Sequence, residues 1–134
     1  MDRKKILVVE DDELLVKAIV DKFLREGFDV EVGYNGQEGL DAAKKNHPDL
    51  IIVDIIMPKM NGIEMVKELR NDAWGKQVPI IILTNMNPSQ DILEAISEYK
   101  VSYCLVKSDS TLEEVIEKTN QVLKEGPPKL LNPH

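Results

Sequence analysis

The stretch Leu50 to Gly62, LIIVDIIMPKMNG, restricts the possible folds more than any other part of the chain. Leu50, Ile51, Ile52 and Val53 are apolar without a break and run directly into one carboxylate, Asp54. A β-branched run with no polar alternation has no wet face to offer, so it reads as a strand covered on both sides, as in a parallel sheet. Pro58, Asn61 and Gly62 close it before a helical pattern resumes. Asp54 then stands at the carboxyl end of a central strand, the edge where open α/β sheets hold their ligands. A lone aspartate there suits a nucleophile that accepts a phosphoryl group, if the chain also brings it a metal site, a cation and a hydroxyl.

The same grammar recurs along the chain. Lys4 and Lys5 lead into Ile6, Leu7, Val8 and Val9, a second unbroken apolar run that ends in four acids, Glu10 to Glu13. From Leu14 to Glu26, Leu15, Ala18, Ile19 and Phe23 recur at helical spacing with Leu14 and Val20 beside them, and Gly27 stops the helix. Phe28, Val30, Val32 and Tyr34 alternate with Asp29, Glu31 and Gly33, as in a strand with one wetter face at a sheet edge. Asn35 and Gly36 open a second helix carrying Leu40, Ala42 and Ala43, which closes at Asn46, His47 and Pro48. Ile63, Met65, Val66 and Leu69 mark a third helix. Ile80 to Leu83 form a fourth strand ending at Thr84, and Ser89 caps a fourth helix with Ile92, Leu93 and Ile96 facing inward. Val101 to Val106 is the fifth strand, ending at Lys107. Ser110 or Thr111 caps the last helix, with Glu113 and Glu114 in its first turn and Leu112, Val115, Ile116 and Leu123 facing inward.

Five strands alternating with five helices predict a doubly wound parallel α/β sheet of the flavodoxin-like (βα)5 kind. Right-handed crossovers and a peripheral second strand give the order 2-1-3-4-5, whose switch point falls between strands one and three. Glu10, Asp11 and Asp54 line that crevice. A single domain spans residues 1–125, followed by a flexible tail, 126–134, in which Pro127, Pro128 and Pro133 cannot continue a helix.

Three carboxylates on two adjacent strand ends repel one another unless a cation joins them. Magnesium, which takes few protein oxygens and keeps several waters, suits Glu10, Asp11 and Asp54 with a backbone carbonyl. Lys107 supplies a second cation and Thr84 a hydroxyl at the same edge, as phosphoryl transfer requires. Asp12 serves the first helix as a cap. With 24 acidic against 17 basic side chains the net charge is -7, which argues against direct binding to nucleic acid or an anionic membrane. One cysteine, Cys104, excludes an internal disulfide, and neither a leader at Met1 nor a bilayer-length apolar run is visible, so a cytoplasmic protein is expected. Cys104 reads as a small core side chain, His47 as a loop residue, and Trp74 and Tyr99 as partial cover or partner contacts.

An acidic pair after strand one, D-x-x-M-P-x-x-x-G after strand three (Asp54, Met57, Pro58, Gly62), a threonine after strand four and a lysine after strand five together resemble the receiver domains of two-component response regulators. The resemblance covers about residues 4 to 124. It implies that a sensor histidine kinase or histidine phosphotransfer protein phosphorylates Asp54, and that Glu10, Asp11, Asp54 and the Ile56 carbonyl bind magnesium. It implies also that Thr84 and Lys107 sense the phosphoryl group, and that helix four, strand five and helix five present the output face to a downstream protein. The protein would then be no enzyme but a phosphoacceptor that assists its own phosphorylation and dephosphorylation, monomeric or dimerising once phosphorylated. No DNA-binding segment follows helix five in this sequence, so a stand-alone switch acting through protein contacts is expected.

Departures from the family pattern set further expectations. Ser108 stands where the family has a cis proline after the lysine, and a cis bond without proline costs about 2.5 to 4 kcal/mol, so a trans peptide is expected. Asn85 replaces the small residue after the threonine, and Cys104 stands at the aromatic switch position with Tyr103 one place earlier. Asn85 and Ile56 are expected to shield an acyl phosphate from water. An interaction module that ignores phosphate is the competing reading. A flavodoxin-like cofactor carrier would want a glycine, serine and threonine cradle where this chain places four acids. A phosphohydrolase would want a further acid or base near Asp54.

Overall fold

A computed structural model of the protein describes residues 3–126, so the expected tail, Gly126 apart, lies outside the described residues. Five strands, β1 (Lys5–Val9), β2 (Asp29–Gly33), β3 (Leu50–Val53), β4 (Ile80–Thr84) and β5 (Tyr103–Val106), form one parallel sheet in the order β2-β1-β3-β4-β5. Five helices cover it: α1 (Glu13–Arg25), α2 (Gly36–Asn46), α3 (Gly62–Asn71), α4 (Gln90–Glu98) and α5 (Leu112–Glu125). Both the fold class and the strand order agree with the sequence pattern. None of the described helices is long and apolar enough to cross a membrane.

The unbroken apolar strands are explained by the two layers they feed. Leu7, Val9, Ile51, Val53, Ile80 and Ile82 pack with Leu40 and Ala43 of α2 and Met65, Val66 and Leu69 of α3. Ile6, Val8, Leu50, Ile52, Ile81 and Leu83 pack with Ile19 and Phe23 of α1 and Val115, Ile116 and Val122 of α5. Alternate residues of a strand point to opposite faces, so a strand with helices on both faces needs apolar residues at every position. Each fully buried Leu, Ile or Phe contributes about 1.5–3 kcal/mol.

Helix ends follow local chemistry. Asp12 Oδ1 accepts from the Leu14 and Leu15 N–H groups, Asn61 and Glu64 form a capping box on α3, and Thr111 rather than Ser110 caps α5 with Glu114. Three expectations need correction. Ala18 of α1 is exposed although it shares helical spacing with Leu15, Ile19 and Phe23, and Val16 is buried instead, while the neighbouring Leu14 is 82% exposed. Leu93 is 48% exposed, because only Ile92 and Ile96 of α4 reach the sheet-side core and no residue of that helix is fully buried. β5 begins at Tyr103 rather than Val101, since the chain first leaves α4 through Lys100 in the left-handed region (φ 56°).

Candidate functional site

The strand register brings the acids together. β1 and β3 pair Val9 with Val53, so the next residues, Glu10 and Asp54, leave the sheet side by side. The Asp54 N–H donates to the Val9 carbonyl at 3.0 Å, and the Glu10 N–H to the Gly33 carbonyl at 3.0 Å, extending the ladders to the switch point. Both carboxylates are enclosed, Glu10 at 3% and Asp54 at 6% exposure, while Asp11 stays exposed. One carboxylate oxygen from each of Glu10, Asp11 and Asp54 lies within 4.8 Å of the others, a group of hard oxygen donors of the kind a small divalent cation takes.

Lys107 reaches into this group from the first residue past β5. Its Nζ lies 2.7 Å from Asp54 Oδ2 and 2.6 Å from Glu10 Oε1. Burial works against the ammonium, yet its hydrogen bonds to Asp54 and Glu10 prevail and hold its pKa above the ordinary lysine value. For Glu10 the balance is reversed. Burial, with the neighbouring Asp54 charge, outweighs the Lys107 and Asp12 hydrogen bonds and raises its pKa. The Asp12 N–H donates to Glu10 Oε2 at 3.0 Å, so the residue that caps α1 also fixes Glu10.

Thr84 lies at the same edge, two residues beyond Ile82, the partner of Val53. It is buried, and its Oγ1 accepts the Met86 N–H at 3.2 Å, which leaves its own O–H free to donate. Ile56 approaches Asp54 through its N–H, 3.4 Å from Oδ1, and turns a 60% exposed side chain outward. The predicted edge thus holds Glu10, Asp11, Asp54, Ile56, Thr84 and Lys107.

Behind the aspartate, Gly62 closes the β3–α3 loop by donating to the Ile55 carbonyl at 2.9 Å. A Cβ on Gly62 would meet the Asp54 carbonyl oxygen at 2.1 Å and its carbon at 2.9 Å, both backbone atoms that cannot swing aside. Gly62→Ala is therefore expected to destabilise the fold by about 1–3 kcal/mol. An unchanged midpoint in denaturant unfolding would show that the loop yields without cost.

A family model, the response regulator receiver domain, matches residues 6–120. The chain belongs to this family. Over 125 residues this receiver domain is 30% identical to "Response regulator ArlR" of Staphylococcus aureus, matching 93% of this chain and 55% of that protein, so it spans about half the length of those curated relatives. Among solved structures it resembles the Francisella response regulator 1452 receiver domain (TM-score 0.81, 29% identity, 92% of this chain and 98% of that one). The Vibrio cholerae chemotaxis protein CheY4 is equally similar (TM-score 0.82, 29% identity, 90% and 99%).

Two departures of this receiver domain take physical form. The described residues contain no cis peptide, so Lys107–Ser108 is trans, as the serine implies. Tyr103 and Cys104 point to opposite faces of β5. Cys104 packs toward α3 and α4, and burial raises its thiol pKa. Tyr103 packs on the α5 side with Lys118 Nζ 4.6 Å from its ring centroid, so it cannot stand in for an aromatic beneath α4. His47 is a helix-ending residue as expected, yet its ring also stacks on Trp74 with centroids 4.4 Å apart. No pattern in the sequence pointed to Arg70, whose guanidinium serves the backbone rather than the site.

Proposed function

We propose that the protein is a phosphorylation-controlled switch whose acceptor is Asp54, with a sensor histidine kinase or histidine phosphotransfer protein as donor. The observation that carries this reading is the Lys107 ammonium seated 2.7 Å from a buried Asp54 carboxylate, within a group of three acids. An Asp54 oxygen attacks the phosphorus, a bond forms there, and the bond from phosphorus to the donor's leaving nitrogen breaks, its electron pair departing with that nitrogen. Little covalent work is left for the protein beyond position and charge. Lys107 offsets negative charge on the transferred group, and the Thr84 hydroxyl donates a hydrogen bond to one of its oxygens. Glu10, Asp11, Asp54 and the Ile56 carbonyl would hold magnesium, which supplies charge neutralisation when bound.

The modified aspartate carries about -1.5 to -2 charges, enough to draw Thr84 and Lys107 into new contacts and bias the loops that lead to α4. The face formed by α4, β5 and α5 would present the result to a downstream protein, with helix α4 suited to respond because none of its residues is fully buried. Incubation with magnesium and acetyl phosphate, read by intact mass, is expected to add one phosphoryl group, and Asp54→Asn to add none. No adduct, or one that survives Asp54→Asn, would favour the phosphate-independent module. Ile56, exposed beside Asp54, is expected to slow water attack on the acyl phosphate; Ile56→Asn should then shorten its half-life several-fold, and an equal half-life would remove that role.

A further inference from the structure

Thr84 and Lys107 stand on adjacent strands, and the β4–β5 register pairs Thr84 with Val106, the residue just before Lys107. The residue that follows each is joined to the other: the Ser108 N–H donates to Asn85 Oδ1 at 3.0 Å. Residue 108 is a serine in a trans peptide, so an N–H exists there, and the short 3-10 turn Lys107–Asp109 aims it back across the sheet edge. The same turn carries the Lys107 side chain, whose Nζ sits between Glu10 Oε1 and Asp54 Oδ2. On the other strand Thr84 Oγ1 already holds the Met86 N–H, so residues 84–86 form one folded unit with Asn85 projecting from it. A carboxamide spent on a backbone N–H across two loops acts on where the next side chain points, and Asn85 is too occupied by Ser108 to lie loose over the acceptor.

We propose that Asn85 is a positioning residue for Lys107: its side-chain oxygen, through the Ser108 N–H, fixes the turn from which the ammonium reaches Asp54 and Glu10. By the same bond the loops after Thr84 and Lys107 move together rather than singly. The importance for signalling rests on the phosphoacceptor reading above, whereas the positioning itself belongs to the unmodified protein. A neutral side chain-to-backbone hydrogen bond at an exposed place contributes a modest amount, so its loss should loosen Lys107 by about three- to tenfold.

The test is a double-mutant cycle of Asn85→Ala and Ser108→Pro, since proline removes the donor. The first readout is the rate at which a small amine acylating reagent labels Lys107, relative to the other lysines, in the unphosphorylated full chain, with melting temperatures alongside. Either single change is expected to speed Lys107 labelling by about three- to tenfold, and the double variant to be no faster than the faster single one. Asn85→Asp, which keeps the acceptor and adds a charge that holds the ammonium protonated, should label no faster than the parent. Unchanged labelling in Asn85→Ala, or effects of the two changes that simply multiply, would overturn the proposal. The second readout is the acetyl phosphate rate. If labelling behaves as stated and the parent chain takes no phosphoryl group, the phosphoacceptor reading fails while the positioning role stands; if Asn85→Ala is labelled faster yet phosphorylated as fast as the parent, the coupling to the reaction is overturned.

Discussion

Lys107→Met is expected to slow phosphorylation of Asp54 by about 100-fold or more and to make the fold depend on magnesium. Methionine keeps most of the buried stem and removes the ammonium, so the rate loss reports the charge opposite the transferred group, of the size seen when one transition-state donor is deleted. The stability effect follows from what remains. Glu10 and Asp54 stay enclosed and adjacent with no cation between them, and a buried ion pair broken on one side costs about 3–5 kcal/mol. Millimolar magnesium should recover much of that loss, because it binds the native acids and not the unfolded chain. The parent, already neutralised in part by Lys107, should gain less from the ion.

The pH dependence separates this account from simple loss of packing. The raised Lys107 pKa means that its contribution to stability is complete below the ordinary lysine value and is lost as the pH climbs through the raised one. Glu10 acts in the opposite sense. Its raised pKa makes the folded state hold a proton that the unfolded chain releases, so a cost appears as the pH rises through the ordinary glutamate range and is full above the raised value. Removing Lys107 deletes the alkaline limb and raises Glu10 further, so the variant should regain stability on acidification from neutral pH more steeply than the parent. Melting curves from mildly acidic to alkaline pH, with and without magnesium, check this. Parallel curves for the two proteins would show that Lys107 does not hold the acids in the native state.

How far such an edge could be foreseen is shown by its members. Leu50 to Val53 and Ile6 to Val9 announce central strands because burial on both faces leaves no polar position, and Asp54 and Glu10 then fall at the carboxyl edge by counting alone. Thr84 and Lys107 follow from the same counting on β4 and β5. Geometry beyond such counting was less legible. Ala18 has the right helical spacing for an inward position, yet it is exposed and Val16 is buried, because spacing alone leaves open how the helix is rotated on the sheet. Leu93 is likewise exposed, since among the apolar residues of its first turns only Ile92, with Ile96 a turn later, packs on the core and no residue of α4 is fully buried. The bond between Asn85 and Ser108 joins loops 23 positions apart and has no periodicity to betray it.

Arg70 is the other residue that no pattern revealed, and Arg70→Met is expected to destabilise the protein by about 3 kcal/mol, a large share of a typical domain's 5–15 kcal/mol. It lies in the last turn of α3 and is half-buried without a carboxylate among the ion pairs of the described residues. Instead its Nε donates to the Tyr99 carbonyl at 2.7 Å, Nη1 to the Gly75 and Val78 carbonyls at 2.8 Å each, and Nη2 to the Lys100 carbonyl at 3.3 Å. Burial pushes its pKa down to about 10, which still leaves it charged at neutral pH. Tyr99 is the C-terminal cap of α4, so the guanidinium meets the negative end of that helix's dipole while tying it to the segment before β4. Arg70→Lys should restore less than half of the loss, since an ammonium cannot reach four carbonyls through a planar fork. Because α4 has no fully buried residue, this tether bears more of its attachment than it would in a deeply packed helix. Amide exchange in α4 should therefore rise in Arg70→Met before the sheet loosens, whereas an unchanged denaturant midpoint, or exchange raised equally in β1 and β3, would assign the attachment of α4 to its side-chain packing instead.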